Sequence, residues 1–339
     1  MTPSSIIIIL PYFGPLPSTF GPWLRSAELN TSVDFLIVTD QEVVSESPNI
    51  TVRKTTLQQL RSLTMVKLDT YVALEKPYKL CDLRPFYGKI FSDDVNGHDF
   101  WGYCDCDMVF GDMRGFLTED ILSTHNSILS LGHLHLQRNN DPLYDAVIES
   151  CKSREGKSWK EVLAHKENLC FDEMPFGVSA HYYFKHPELS WTGFTETGRC
   201  YSSPTMYRPL YEDTYNNYGL YLKSYYNDLS NRFPCWQRIP TEPLKHMIYR
   251  KEGVKLYAIG KRKKEGICQE EILYVHIMKR QIDVMTKNKD NYIIIPNKII
   301  SDRTISRFFL LLTMLQPAPY MAFYKRRLTN KLKRIFRKQ

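Results

Sequence analysis

Short apolar runs alternate with longer amphipathic stretches along the first part of the chain. Residues 6–10 and 34–40 are of strand length and rich in β-branched residues, which is typical of strands buried on both faces of a parallel sheet. Residues 20–29 and 56–74 carry apolar positions at helical spacing. This order predicts an α/β fold in which helices cover a parallel sheet.

Similar patterns predict further elements downstream. Short strands are expected at residues 50–52, 127–131, 253–259 and 272–280, and helices at residues 77–91, 142–151 and 159–168.

Residues 99–112 predict a single buried strand that ends in two carboxylates, Asp105 and Asp107. Because side chains alternate along a strand, both aspartates share one face with Tyr103. The opposite face carries small or soft apolar side chains, namely Cys104, Cys106 and Met108. Ligands of open α/β sheets bind at the carboxyl ends of the strands, so the two carboxylates are expected to converge at such a crevice.

Two oxygen ligands at this spacing suit Mg²⁺ or Mn²⁺ that is also held by substrate phosphates. Aspartate is depleted within strands, and cation binding is the simplest reason for a pair of them here. The alternative is a chance Asp-x-Asp triplet. Zinc binding by Cys104 and Cys106 is disfavoured, because this spacing lacks the spacer and the second pair of structural zinc sites. The pattern favours an enzyme that uses a phosphate-activated donor.

The loops that end the first two predicted strands carry further candidates. Pro11, Tyr12 and Phe13 follow the first strand, and Asp40 ends the second. The three loop residues are candidates for lining a nucleotide pocket, with a rigid turn as the alternative. Asp40 is a candidate for contacting the base or the ribose, with a helix N-cap as the alternative.

The predicted helix at residues 77–91 carries Lys79, Asp82 and Arg84 shortly before the aspartate pair. One hypothesis is that these side chains present a charged face to the donor. The other is that Asp82 and Arg84 form a structural ion pair.

Several of these segments together resemble a known family. They are the Pro-Tyr-Phe loop, the strand ending in Thr-Asp, Lys-Leu-Cys-Asp-Leu-Arg-Pro at 79–85 and Trp-Gly-Tyr-Cys-Asp-Cys-Asp-Met-Val-Phe-Gly-Asp at 101–112. Over roughly residues 5–280, this order resembles bacterial proteins encoded among capsule and lipopolysaccharide synthesis genes and assigned as glycosyltransferases of the GT-A fold. The aspartate motif alone is also similar to the sugar-nucleotide site of the glycogenin-like and lipopolysaccharide galactosyltransferases.

The resemblance implies a GT-A (Rossmann-like) nucleotide-sugar-binding sheet with added acceptor-side elements. It implies that Asp105 and Asp107 hold Mn²⁺ or Mg²⁺ on the donor diphosphate. His276 would complete the metal shell, and Lys279 would bind the diphosphate; a structural strand histidine is the alternative for His276. The chain departs from the family at Cys106, where alanine or a small aliphatic residue is commoner, and this leaves the metal ligands unchanged.

Two further positions take candidate roles from the resemblance. His133 would lie at the crevice and contact the donor or the acceptor sugar, whereas the alternative makes it, with His135, a partnered strand histidine. Either Asp172 or Glu173 would face the acceptor hydroxyl as a base or hydrogen-bond the transferred sugar. A helix cap or a loop carboxylate is the alternative for that pair.

Composition indicates the cellular setting. With 43% hydrophobic and 24% charged residues among 339, the chain has the composition of a globular protein. Its eight cysteines form neither a disulfide framework nor a metal spacing, which indicates a reduced compartment. The apolar run at residues 6–10 is too short for a signal peptide, so we expect a cytoplasmic protein.

Positive charge is concentrated in residues 325–339, which hold eight basic residues and no acidic one. The net charge of the whole chain is +8, so the remaining residues sum to zero. The apolar residues of this segment fall on one helical face, which predicts a basic amphipathic helix at the anionic inner surface of the cell membrane. A solvated tail is the alternative. No nucleic-acid partner is expected, because interleaved aromatic residues are missing. We therefore expect a catalytic domain at residues 1–300 and a helical, membrane-associating tail at 301–339.

Together these features predict a metal-dependent glycosyltransferase of surface polysaccharide synthesis. The donor would be a nucleotide sugar, with a UDP-sugar expected, and the acceptor a lipid-linked glycan. The Asp-x-Asp motif and the late histidine resemble those of retaining enzymes, which favours retention; an inverting enzyme would instead need Asp172 or Glu173 as base. The alternatives are a metal-dependent nucleotidyltransferase or phosphohydrolase, and a non-catalytic membrane- or RNA-binding protein.

Overall fold

Three β-sheets and the helices packed on them make up the described part of the chain. The computed structural model describes residues 3–129, 133–153, 155–172, 200–201, 207–209, 245–262, 265–277, 282–295, 298–306 and 309–310. The strands are β1 (Ile6–Tyr12), β2 (Asp34–Thr39), β3 (Ile50–Lys54), β4 (Phe100–Cys104), β5 (Met108–Phe110), β6 (Ser127–Ile128), β7 (Leu134–Arg138), β8 (Cys200–Tyr201), β9 (Tyr207–Pro209), β10 (Lys245–Glu252), β11 (Lys255–Arg262), β12 (Gly266–Glu271), β13 (Tyr274–His276), β14 (Asp283–Val284), β15 (Asn291–Ile295) and β16 (Lys298–Ser301). The helices are α1 (Phe20–Glu28), α2 (Leu57–Leu68), α3 (Tyr87–Ile90), α4 (Ser92–Val95), α5 (Met113–Phe116), α6 (Glu119–Thr124), α7 (Pro142–Ser150) and α8 (Trp159–Ala164), with a 3₁₀ helix at Pro77–Phe86.

The main sheet has the strand order β3-β2-β1-β4-β7-β6-β8, and β1 to β4 run parallel to one another. Strand β1 is buried on both faces: Ile7 and Ile9 pack in one apolar cluster, whereas Ile6 and Ile8 pack in another. Because both faces are covered, the strand needs apolar residues at consecutive positions. The predicted α/β fold with a parallel sheet is confirmed.

The predicted strand does end at the two carboxylates, but the stretch at residues 99–112 forms two strands and not one. Strand β4 ends at Cys104, and β5 begins at Met108 in a separate sheet, where it pairs antiparallel with β13. The chain changes partner between them, and the two aspartates, which are disfavoured in strands, lie at that break. Cys104, Cys106 and Met108 still share one apolar cluster, as the alternation predicted.

A second sheet has the order β12-β11-β10-β15-β16-β14 and packs one face on β5 and β13, where Val109 and Val275 join its core. The buried ammonium of Lys251 on β10 links this sheet to β5 by donating to the carbonyl oxygens of Phe110 at 2.5 Å and Val254 at 2.8 Å. Burial lowers the pKa of Lys251 to about 7.

The opposite face of this sheet is covered by the last described residues, since Ile305, Phe309 and Leu310 pack on its isoleucines. Residues 311–339, with the predicted basic helix, lie outside the described residues. The boundary expected at residue 300 therefore stays a prediction. Of the helices that the structure describes, none is both long and apolar enough to cross a membrane.

Several predicted elements are shorter than expected or different in kind. Helix α2 begins at a capping box formed by Thr56 and Gln59 and ends before Asp69, which adopts a left-handed conformation (φ 45°). The helix expected at 77–91 is a 3₁₀ helix followed by one α-helical turn. The strand expected at 272–280 covers only Tyr274–His276 among the described residues. Local turns decide these ends, and apolar periodicity does not report them.

Candidate active site

The side chains of Asp105, Asp107 and His276 converge where β4 ends. The Nε2 atom of His276 lies 3.2 Å from Oδ1 of Asp107 and 3.5 Å from Oδ2 of Asp105. If one possible ligand atom is taken from each residue, the three atoms lie within 4.8 Å of one another. All three side chains are partly buried. The structure thus joins the predicted aspartate pair to a histidine that is far away in sequence.

Backbone pairing holds these three side chains in place. The amide of Asp105 donates to the carbonyl of His133 at 2.9 Å, and the carbonyl of Asp107 accepts from the amide of Ile277 at 2.8 Å. In the β5–β13 ladder, His276 is the partner of Met108. The position of His276 opposite the aspartates therefore follows from the register of this small sheet.

Arg84 bridges two carboxylates at this site. Its Nη1 atom donates to Oδ2 of Asp172 at 2.8 Å, and its Nη2 atom donates to Oδ1 of Asp105. The guanidinium also lies over the ring of Tyr103, 5.5 Å from the ring centroid. Burial alone would raise the pKa of Asp105, but the charge of Arg84 and the hydrogen bond from His276 hold it well below its usual range. Asp105 is therefore ionised at neutral pH.

Two imidazoles lie face to face beside the aspartates. The rings of His133 and His276 are stacked at 4.4 Å between centroids, and Nε2 of His133 is 2.9 Å from the hydroxyl of Tyr274. Burial would lower the pKa of His276, but the carboxylates of Asp107 and Asp105 raise it to about 9. Burial and the neighbouring charge of His276 lower the pKa of His133 well below its usual value. The site thus favours a charged His276 against a neutral His133.

The possible ligand atoms of Asp105, Asp107 and His276 suit a divalent cation. Two carboxylate oxygens and one imidazole nitrogen lie within 4.8 Å of one another, close enough to share one cation. Carboxylate and imidazole ligands together suit Mn²⁺ and also allow Mg²⁺. Ligation would require a neutral His276, because a metal ligand gives up its proton on binding.

Of the remaining predicted residues, Lys79 and Asp82 do not join this cluster. They are buried side by side, with Nζ of Lys79 2.7 Å from Oδ2 of Asp82. The alternative pairing of Asp82 with Arg84 is also not found, because Arg84 contacts Asp105 and Asp172 instead.

Residues 11–13, predicted as a loop that ends the first strand, begin as the last residues of β1 itself. Burial and the nearby charge of Asp107 raise the pKa of Tyr12, whose hydroxyl donates to the carbonyl of Pro15 at 3.0 Å. Strand β1 runs through Pro11 and Tyr12, and Phe13 is buried in the core. Among these three residues, Tyr12 is the one whose pKa is influenced by Asp107.

Asp40 is exposed and holds the same loop. Its Oδ1 atom accepts from the side chain of Gln41 at 2.9 Å and from the amide of Gly14 at 3.0 Å, and these hydrogen bonds lower its pKa. Asp40 therefore braces the loop rather than capping a helix. The predicted residues Glu173 and Lys279 lie outside the described residues.

Sequence reasoning missed Tyr274, which holds His133. The available signal was its position two residues before His276 on the same short strand, because such residues share a face.

Comparison with known proteins gives one family and distant structural similarities. A model described as "Family of unknown function (DUF6625)" matches residues 8–303. No curated protein matches the chain in sequence. Among solved structures, it is similar to the apo form of mouse xyloside xylosyltransferase 1, at 12% identity and a TM-score of 0.35, over 66% of this chain and 93% of that one. It is also similar to the galactosyltransferase LgtC in complex with donor and acceptor sugar analogues, at 11% identity and a TM-score of 0.33, over 64% and 81% of the chains.

Proposed function

This chain belongs to the DUF6625 family of unknown function, and from its site we propose that it is a glycosyltransferase that uses a nucleotide-sugar donor. The observation that carries the proposal is the convergence of Asp105, Asp107 and His276 within 4.8 Å, next to the guanidinium of Arg84. Such a site binds a cation together with the phosphates of a substrate.

In this proposal, Asp105, Asp107 and His276 hold Mn²⁺ or Mg²⁺. When bound, the cation supplies positive charge that stabilises the leaving diphosphate. Arg84 keeps Asp105 ionised and fixes its orientation, because the guanidinium binds this carboxylate on one side and Asp172 on the other. We assign Tyr12, whose pKa is raised in part by Asp107, to a wall of the donor pocket.

Asp172 is better suited to hold Arg84 in place than to accept a proton. Its carboxylate is buried and ion-paired with Arg84 at 2.8 Å, and taking up a proton would break that pair. A base catalyst of an inverting reaction needs a free carboxylate at the acceptor hydroxyl. We therefore favour retention of configuration over inversion with Asp172 as the base; Glu173, the other candidate base, lies outside the described residues. We assign His133 a contact with the donor or the acceptor.

The acceptor and the cellular setting are proposed from the sequence. A lipid-linked glycan acceptor fits the basic residues at 325–339, because a basic amphipathic helix would hold the enzyme at an anionic membrane surface. Sedimentation with phosphatidylglycerol vesicles tests this part. Binding that survives truncation after Tyr324 would contradict it.

Calorimetric titration of a panel of nucleotide sugars, with and without Mn²⁺, tests the donor site. We expect one donor to bind only with Mn²⁺, and we expect Asp107→Asn to abolish that binding. Cys106→Ala is the matched control, since it changes the neighbouring residue without removing a ligand. Release of pyrophosphate or phosphate from other substrates would instead support a nucleotidyltransferase or phosphohydrolase. Unchanged behaviour of Asp107→Asn would support a non-catalytic protein.

A further inference from the structure

We propose that the buried pair of Lys79 and Asp82 is an anchor that positions Asp172 in the site. The carboxylate of Asp82 holds the segment that precedes Asp172: Oδ2 accepts from the amide of Leu169 at 2.9 Å, and Oδ1 accepts from the amide of Phe171 at 2.8 Å. Asp172 follows directly in the chain.

Lys79 completes the anchor from the other side. Its Nζ atom donates to Oδ2 of Asp82 at 2.7 Å, to the carbonyl of Val162 at 2.7 Å and to the carbonyl of Glu167 at 3.0 Å. All three donors of the ammonium are therefore used, and they tie the end of α8 and the following segment to one point. Lys79 is 1% exposed and Asp82 0%, and both side chains are engaged with each other and with the backbone.

The backbone between the two anchored amides is unusual. Cys170 adopts a left-handed conformation with φ 54°, which is uncommon for a residue other than glycine. Alternating backbone conformations can aim nearby amides at one anion, and here the amides on both sides of Cys170 bind the same carboxylate. Such a conformation persists where its surroundings hold it.

One 3₁₀ helix carries both the anchor and the partner of Asp172. Lys79 and Asp82 are three residues apart, and this spacing aligns side chains on a helix with three residues per turn. Arg84 lies on the same helix and binds Asp172. Phe86, at its end, stacks on Phe171 with ring planes 6° apart. The helix therefore fixes Asp172 through the preceding backbone, the preceding ring and the carboxylate itself.

Stability alone does not account for this pair. A buried ion pair gives little net stability compared with apolar residues of similar volume. The pair also accepts hydrogen bonds from two backbone amides, which apolar residues could not do. We therefore assign Lys79 and Asp82 as positioning residues for Asp172, an assignment that rests on the proposed transferase site.

The test compares Asp82→Asn with three other variants. Asparagine retains only one acceptor oxygen, so hydrogen exchange in a peptide spanning residues 165–172 should accelerate by roughly tenfold or more. Sugar transfer should fall on the order of 100-fold, because Asp172 and its partner Arg84 would be misplaced in the site. Mn²⁺ affinity should stay within a few-fold of the wild type, since Asp82 touches none of the three ligands.

Asp172→Asn should lose turnover without faster exchange, which separates the anchor from the residue it holds. Asp94→Asn, which removes the same charge from the ion pair with Arg53, should change neither quantity. The double variant Lys79→Met/Asp82→Asn leaves no unpaired buried charge and replaces the single variant if that fails to fold.

Unchanged exchange in residues 165–172, or faster exchange with full turnover, would overturn the proposal. If the wild type transfers no sugar, the proposed function fails, and the exchange rates of the same variants still decide whether the pair anchors this segment.

Discussion

The imidazoles of His133 and His276 lie 4.4 Å apart with their planes at 20°. His133 is in turn fixed by the hydroxyl of Tyr274 at 2.9 Å. The ring of His276, the candidate metal ligand, is thus held by the ring of His133, which lies far from it in sequence. This stacking restricts the orientation of the His276 imidazole.

We expect His133→Ala to weaken Mn²⁺ binding by about 10- to 100-fold, because partners that orient a metal-binding imidazole typically contribute this much. His133→Phe preserves the stacked ring and should retain most of the affinity. Calorimetric Mn²⁺ titration measures both. Equal affinity in the wild type and His133→Ala would show that the ring of His276 is held by other contacts.

Arg84→Lys should reduce turnover by about 10- to 100-fold, as expected for the loss of about 1.5–3 kcal/mol from one hydrogen bond to a charged group. An ammonium cannot reproduce the planar fork of a guanidinium between two carboxylates. The measurement is kcat with the donor found by titration. Arg138→Lys is the control, because Arg138 lies over Phe100 and binds neither aspartate. Full activity of Arg84→Lys would mean that a contact with one of the two carboxylates is enough for turnover.

His135 should make the fold less stable as the pH falls. Burial lowers its pKa from 6.5 to about 4, so the unfolded chain takes up a proton at a higher pH than the folded one. Its contribution is complete above pH 6.5 and is lost as the pH falls towards 4, with a total of about 3 kcal/mol.

Urea unfolding at a series of pH values measures this effect. His135→Asn can still donate to the carbonyl of Leu129, which His135 contacts at 2.9 Å, and it removes the titrating group. The difference in free energy of unfolding between variant and wild type should therefore change with pH across this window. A constant difference would contradict the prediction.

Gly111→Ala should destabilise the fold by roughly 2–3 kcal/mol through overpacking. A Cβ at this position would lie 2.3 Å from the carbonyl oxygen of Ile272, a backbone atom that cannot move alone. Since Gly111 directly follows β5, Mn²⁺ affinity should fall as well. Thermal or urea unfolding and Mn²⁺ titration check the two effects.

Gly97→Ala is the matched control for this substitution. A Cβ there meets nothing within 4 Å, but the backbone has φ 88°, so we expect a loss of about 1 kcal/mol and no change in Mn²⁺ affinity. Equal effects of the two substitutions would mean that the contact with Ile272 is not limiting.

Local patterns were enough to predict much of the parallel sheet. The apolar run of β1 and the helical spacing of α1 each report burial within a few residues, and burial is what periodicity measures. The aspartate pair could also be identified from the local sequence, because two carboxylates directly after aromatic strand residues are unusual.

The choice of partners required the tertiary structure. Lys79, Asp82 and Arg84 stand within six positions of one another, yet only the packed chain decides that Asp82 binds Lys79 and that Arg84 turns to Asp105 and Asp172. From the sequence alone, Asp82 could pair with either of the two cations.

The break between β4 and β5 also depends on the tertiary structure. The sequence by itself determined which residues are buried and that Asp105 and Asp107 are a candidate cation pair. The tertiary structure decided that β5 leaves the main sheet to pair with β13, which brings His276 to the aspartates. The physical reason is that burial is encoded locally, whereas strand pairing and ion pairing are set by the competition among distant segments for the same hydrogen bonds and charges.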